Sequence, residues 1–468
     1  MKRLLKPRLP TLVFLVIALV MVTATTAFAG DPTGSELTAA IANSSDPAVA
    51  ALAESLTFIW LIVAGALVFF MQAGFALVEA GFAQSKNTVN ILTKNFMDFC
   101  IAGLAYFFFG YAIMYGADIA GFIGSDGFLL LGDYYDVFQA RDWFFQMVFA
   151  ATAATIVSGA MSERTRITAY LAYSFLITAI IYPISGHWVW SENGWLAQMG
   201  FHDFAGSGVV HAVGGLVALV GAKMVGPRLG KFGQDGTVKE FPPHSVPFIV
   251  LGGLILFLGW FGFNGGSTLS GTDLRVSVVV TNTLLAGVTG AVVAMYAGFV
   301  RTGKVNVLAA VNGSLAGLVG ITAPAAVVAP WAAVIIGGLA GAVLLWGERF
   351  VERTLKVDDP VGAVAVHGIC GLYGVLMVGV FADGAYAGVS GLVAGNVGQL
   401  GIQLVGALAI AAWSLVTGAI VFALLRATMG LRASDEEQIQ GLDQAEHGLG
   451  AYELPMGMSG RMTGMAAD

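Results

Sequence analysis

Two histidines stand eight residues after an aspartate, in stretches that nearly copy one another. The first runs Asp203-Phe-Ala-Gly206-Ser-Gly-Val-Val210-His211-Ala-Val-Gly-Gly215-Leu216, and the second Asp359-Pro-Val-Gly362-Ala-Val-Ala-Val366-His367-Gly-Ile-Cys-Gly371-Leu372. Six of the fourteen positions are identical. Both histidines lie in apolar runs, where an ionisable side chain is costly and marks a functional site. A neutral imidazole has one donor and one acceptor and can pass a proton across its ring. A pair could therefore line a path for protons or a small polar solute, or each ring could simply bond a neighbouring helix. Metal binding lacks a third ligand: zinc takes three or four, and Cys370 stands alone beyond His367.

Other residues around these copies carry polar or aromatic chemistry. Asp203 and Asp359 sit where a carboxylate would cap a helix and meet its positive end. At the outer end, Asp203 could instead attract cations. Phe145 and Phe149 open one apolar segment, Trp188 and Trp190 close another, and Trp260, Phe263 and Ser267 close a third. Such aromatics suit a membrane interface. With the Ser267 hydroxyl they could equally form a cation–π cage for a small ammonium-like ion.

The elements that hold these residues follow from composition. The 468 residues are 57% hydrophobic and only 11% charged, with a mean hydropathy of +0.81, against roughly 25% charged residues in soluble chains. The 63 glycines suit helices that approach closely inside a bilayer. These numbers predict an all-α polytopic membrane protein. The net charge of −7 and the acidic tail exclude nucleic-acid binding. Two cysteines, Cys100 and Cys370, both in apolar segments, give no disulfide framework.

Residues 1–29 read as a signal peptide: Lys2, Arg3, Lys6 and Arg8 precede a short apolar core and the small-residue site Ala27-Phe-Ala29. Residues 30–54 then form an external segment, 55–426 a membrane domain, and 427–468 a cytoplasmic tail. Apolar stretches from 56–80 to 398–426 predict eleven transmembrane helices, including a pair, 304–322 and 325–347, split at Pro324. With an external N-terminus, sixteen Lys and Arg fall on cytoplasmic segments and two, Arg141 and Arg275, outside. That asymmetry supports eleven spans with the C-terminus inside.

Under this topology His211 lies on the fifth helix and His367 on the tenth, which run in opposite directions. The pattern is that of two inverted five-helix repeats plus a final helix, with a site near the midplane. Eight residues of helix rise about 12 Å, which brings both imidazoles to one depth.

The whole set of motifs resembles the Amt/Mep/Rh ammonium transporters, and looks most like a bacterial Amt. The likeness runs from about Trp60 to Tyr452. It includes Asp203 to His211, Trp260-Phe-Gly-Phe-Asn264, Glu163-Arg-Thr-Arg166, Val366 to Gly371, and the tail from Gly441-Leu-Asp443 through His447-Gly448 to Ala451-Tyr452. It implies an external recruitment site of Phe149, Trp190 and Ser267, a stacked phenyl gate of Phe145 and Phe263, and paired pore imidazoles at His211 and His367. It further implies transport of ammonium or ammonia, with methylammonium as analogue, by a homotrimer with one pore per subunit. No cofactor, metal or enzymatic activity is expected. The tail is expected to pack on the inner loops, where bacterial relatives bind a PII-type signalling protein.

An ion entering an apolar pore pays several kcal/mol of desolvation. Ammonium can avoid this by shedding a proton; potassium cannot. Uptake across a bacterial inner membrane is thus the expected role. A Rh-like channel for neutral gas, a sensor without transport and an intramembrane metal enzyme are the alternatives. No output domain follows the tail, which counts against the sensor. His202 falls outside the motifs and could tune the outer mouth or be a solvated interfacial residue.

Overall fold

The computed structural model describes residues 33–132 and 135–452. The expected signal peptide lies outside the described residues, as does the tail beyond 452. Among the described residues, ten helices are long and apolar enough to cross a membrane. In chain order with one shorter helix, they are α1 (Pro47–Phe82), α2 (Ser85–Tyr115), α3 (Val137–Met161), α4 (Ile167–Gln198), α5 (Ser207–Val225), α6 (Val246–Gly266), α7 (Val276–Val300), α8 (Val307–Thr322), α9 (Pro330–Thr354), α10 (Val364–Phe381) and α11 (Val397–Thr428). A two-residue antiparallel pairing, Asp118–Ile119 with Ile123–Gly124, is a minor loop feature.

Several boundaries differ from expectation, two of them with a clear local cause. Helix α1 starts at Pro47, so residues 47–54 of the expected external segment are helical. The cause is local: Asp46 accepts from the Ala48 N–H, and Pro47 fills the first helical position, where no N–H is needed. Helix α8 has 16 residues, or about 24 Å, less than the ~30 Å apolar core. It starts at Val307 rather than 304, where Asn306 caps it by accepting from the Leu308 and Ala309 N–H groups. It ends as expected at Thr322, before a tight turn in which the Pro324 carbonyl accepts from the Val327 N–H; Pro330 opens α9.

The helices differ in what surrounds them. Helix α3 is buried along almost its whole membrane length, and α5 nearly so. By contrast, α6, α7 and α11 expose large apolar side chains such as Leu254, Val292, Leu408 and Ile420. Apolar exposure on this scale suits lipid, and the chain is a multi-pass membrane protein.

The tail returns to the loops at one end of the bundle. The Arg166 N–H donates to the Leu431 carbonyl and the Ala433 N–H to the Arg164 carbonyl. A one-turn-plus helix, α12 (Asp435–Gln440), is opened by a capping box between Ser434 and Glu437. Lys86 Nζ donates to the Gln438 carbonyl at 2.6 Å and the Ile439 carbonyl at 3.0 Å. Asp443 accepts from the Asn90 N–H at 2.8 Å, and Glu446 accepts from the Ile167 N–H at 2.9 Å.

Candidate functional site

The two copied stretches fold alike. Asp203 accepts from the N–H groups of Gly206, Gly208 and Val209 at 2.8–3.0 Å. Asp359 accepts from those of Gly362 and Val364 at 3.0 and 2.8 Å. Three residues after each aspartate a glycine takes a positive φ, 109° at Gly206 and 79° at Gly362, a region that a side chain disfavours. Each chain then enters a wide i→i+5 turn, Ser207–Ala212 and Val364–Ile369, which holds the histidine. Such π-turns are often found at functional sites.

Glycine lets the helices meet. A Cβ on Gly215 would lie 2.0 Å from the Gly368 nitrogen, and one on Gly371 would lie 2.4 Å from the Ser207 carbonyl oxygen. Across this crossing His211 Nδ1 and His367 Nδ1 are 3.2 Å apart, with ring centroids 5.2 Å apart and planes at 24°. At that separation one Nδ1 must carry hydrogen and the other accept it, so the rings share a proton in opposite tautomers. His211 Nε2 is buried and has no hydrogen-bond partner among the described residues. The His211 ring packs against both Trp260 at 5.1 Å and Phe263 at 5.3 Å, which also touch each other at 5.8 Å.

Beyond Phe263 lies a vestibule of about 540 Å³, whose walls include Phe145, Phe149, Trp190, Ser267, Tyr111 and Asp142. The ring seated on Phe263 is Phe149, with centroids 4.2 Å apart. Phe145 packs behind it at 4.8 Å and over Gly266. The stack expected of Phe145 and Phe263 is therefore built by Phe149 and Phe263, because Phe149 is one turn deeper on α3. Trp190 meets Phe149 edge-on at 6.4 Å and donates its indole N–H to the Asp203 carbonyl at 2.8 Å. Ser267 donates its hydroxyl to the Phe263 carbonyl at 2.8 Å, which leaves its oxygen lone pairs available to an N–H donor.

On the other side of the imidazoles is a small cavity of about 20 Å³, bordered by His367, Phe75, Glu79, Asn312 and Val361. Glu79 was not anticipated, although a lone acid in the final turn of an apolar segment was a signal. Asn95, Asp98, Ser158 and Ser174 are likewise buried. Ser158 donates to Glu79, and Ser174 donates to Asp98. Among the described residues no three His, Cys, Asp or Glu side chains group as metal ligands.

At the same end as the tail, Arg228 bridges Glu163 at 2.5 Å and Asp358 at 2.8 Å. Burial pushes the Asp358 carboxyl up, but hydrogen bonds from Arg228 and the charges of Arg164 and Arg228 prevail and hold it at about 2. His202 is half-buried rather than solvated. Gln403 brackets its backbone, accepting from the His202 N–H and donating to the His202 carbonyl, while the His202 Nε2 is enclosed without a partner among the described residues.

A multi-helix membrane protein with stacked aromatics over paired imidazoles is built to handle a small polar solute in an apolar interior. The Ammonium Transporter Family matches residues 59–452, and the chain belongs to it. It is 47% identical over 426 residues to the Ammonium transporter Amt2 of Archaeoglobus fulgidus, covering 86% of this chain and 91% of that one. Among solved structures, a Sensor Amt Protein superposes with a TM-score of 0.80 at 39% identity, over 85% of this chain and 99% of the other. Candida albicans Mep2 does so at 0.75 and 30%, over 82% and 87%. These relatives include an archaeal and a fungal protein, so the likeness does not single out bacterial members. The chain is an ammonium or ammonia transporter and not an enzyme.

Proposed function

We propose that ammonium is recruited in the vestibule by the Phe145, Phe149 and Trp190 rings and the Ser267 hydroxyl, and loses its proton beneath the phenyl stack. Ammonia then passes along His211 and His367 while the proton follows separately. The observation that carries this reading is the 3.2 Å contact between the two Nδ1 atoms beside the Phe263 ring. Ring faces attract a cation through their quadrupole, and the hydroxyl favours an ion that brings N–H donors. The apolar passage penalises any ion that keeps its charge, which rejects potassium. Phe149 and Phe263 form the gate in this scheme, with Phe145 on the vestibule wall.

The eleven helices are read as spans, with α1–α5 and α6–α10 as inverted repeats and α11 added. The matching Asp–Gly–His turns in α5 and α10 support that reading. The N-terminus is placed outside and the tail in the cytoplasm of an inner membrane, as the loop cations favour. The lipid-facing apolar sides accommodate a homotrimer, and the docked tail offers a surface for a PII-type protein.

The test is transport by purified protein in vesicles. A step of ammonium should elicit inward current and methylammonium should be taken up, with potassium silent. Electrically silent uptake would favour a neutral-gas channel, and binding without flux a sensor.

A further inference from the structure

The outer site and the imidazole pair leave one chemical need unmet: a proton separated from ammonium must leave the pair on its inner side. We infer that Glu79 receives that proton from His367 through the small cavity between them and passes it on, acting as the inner proton-relay residue. This rests on the deprotonation reading above.

The setting of Glu79 is costly for a residue that only fills space. Its side chain is 2% exposed and sits in the last turn of α1, where the helix dipole opposes a negative charge. An ionisable group at such a place within a membrane helix marks a pathway. Glu79 and His367 border the same cavity of about 20 Å³. That volume admits one water molecule, which needs roughly 10–15 Å³ of this kind of space. The cavity is otherwise bordered mainly by apolar side chains, with Asn312 as its other polar member. Glu79 is its only carboxylate among the described residues.

The carboxylate is also held in a fixed position. Its Oε2 accepts from Ser158 Oγ at 2.7 Å and from Asn95 Nδ2 at 3.2 Å. Asn95 is fixed in turn, since its Oδ1 accepts from Thr155 Oγ1 at 2.9 Å. The nearby charged groups are Lys94 and Asp98, both on α2. Lys94 is committed to the Thr165 carbonyl at 2.8 Å, and Asp98 to Ser174 and Gln72. Neither Lys94 nor Asp98 borders the cavity.

The transfer balances without any further reactant. An N–H bond of the His367 imidazolium breaks as an O–H bond forms on the cavity water. That water gives one of its own hydrogens to the Glu79 carboxylate, and neutral imidazole, water and carboxylic acid result. The acid then releases its proton to water at the inner mouth and regenerates the carboxylate. Ammonia takes no part in these steps.

The test compares charge with substrate in full-length protein reconstituted in vesicles. Glu79→Gln keeps the shape and an acceptor for Ser158 but cannot relay a proton. Ammonium-driven current should fall at least ~10-fold, while ammonia entry, read as alkalinisation of the vesicle lumen under an ammonia gradient, stays near the unmodified level. Glu79→Asp should restore part of the current. If the Gln variant keeps full current, or loses current and ammonia entry together, the relay role is overturned. If the unmodified protein itself shows no ammonium current, the deprotonation reading fails instead.

Discussion

Gly215 and Gly368 touch backbone to backbone, so that a Cβ on Gly215 would lie 2.0 Å from the Gly368 nitrogen. This contact fixes the distance between α5 and α10, and with it the 3.2 Å separation of His211 and His367. The glycine spacing and the imidazole pairing are therefore one feature. A side chain at the crossing would part the rings before it touched them.

Gly215→Ala should separate the helices, lower the thermal midpoint and abolish ammonium flux. Overpacking of this kind costs about 1–3 kcal/mol or more. Gly401→Ala on α11 is the control, because its Cβ would meet nothing within 4 Å. That variant should match or slightly exceed the unmodified protein in thermal unfolding, since alanine favours helix by up to ~1 kcal/mol.

Removing the Asp203 carboxylate should destabilise the turn that presents His211. Three backbone N–H groups lose their acceptor, and they are buried with it. Asp203→Ala should cost more than the ~1 kcal/mol of an ordinary cap, seen as lower yield and thermal midpoint. Equal stability of the variant would mean that water replaces the carboxylate.

The two phenylalanines of α3 should differ in effect. Phe149→Ala opens the stack on Phe263 and should lower discrimination between ammonium and potassium currents by about tenfold or more, since part of the desolvation barrier goes with it. Phe145→Ala should mainly weaken the apparent affinity for ammonium. Reversed effects would return the gate to Phe145.

The inner cluster should give the protein an acid limit. The Asp358 carboxyl is held at about 2 against an ordinary 3.8, so its folded value is depressed. Its stabilisation is complete above pH ~4 and is lost as pH falls through ~2. That difference amounts to about 2 kcal/mol. Asp358→Asn should unfold at lower temperature than the unmodified protein at pH 5, and the gap should narrow towards pH 2. A gap that stays constant with pH would remove Asp358 from the account.

Much of this site was legible because its residues break the apolar pattern. A histidine eight residues after an aspartate, found twice, announced both imidazoles, and their capping carboxylates came with them. The gate pair Phe145 and Phe263 came from the family resemblance alone; in the structure Phe149 is the ring on Phe263. The sequence could not rank the two, since Phe145 and Phe149 lie one turn apart and are both buried. Glu79 leaves only a lone acid at the end of an apolar segment as its mark in the sequence, because its partners, Asn95 and Ser158, lie on two other helices and only packing brings them together. The start of α1 lies earlier than expected because Pro47 to Glu54 was grouped with the polar residues that precede it, yet six of its eight residues are Ala, Val or Leu, and the Asp46 cap and Pro47 favour helix. The end of α8 at Thr322 was legible from Pro324, and only its start differs, because Asn306 accepts from the Leu308 and Ala309 N–H groups and opens the helix at Val307 rather than 304.

The central claim is that the imidazole pair carries both ammonia and a separated proton. Its most direct test is the current on solid-supported membranes from protein with both His211→Ala and His367→Ala, compared with the unmodified protein under ammonium and under potassium. The account predicts that the selective ammonium current disappears in the double variant. An undiminished ammonium current that still excludes potassium would contradict it.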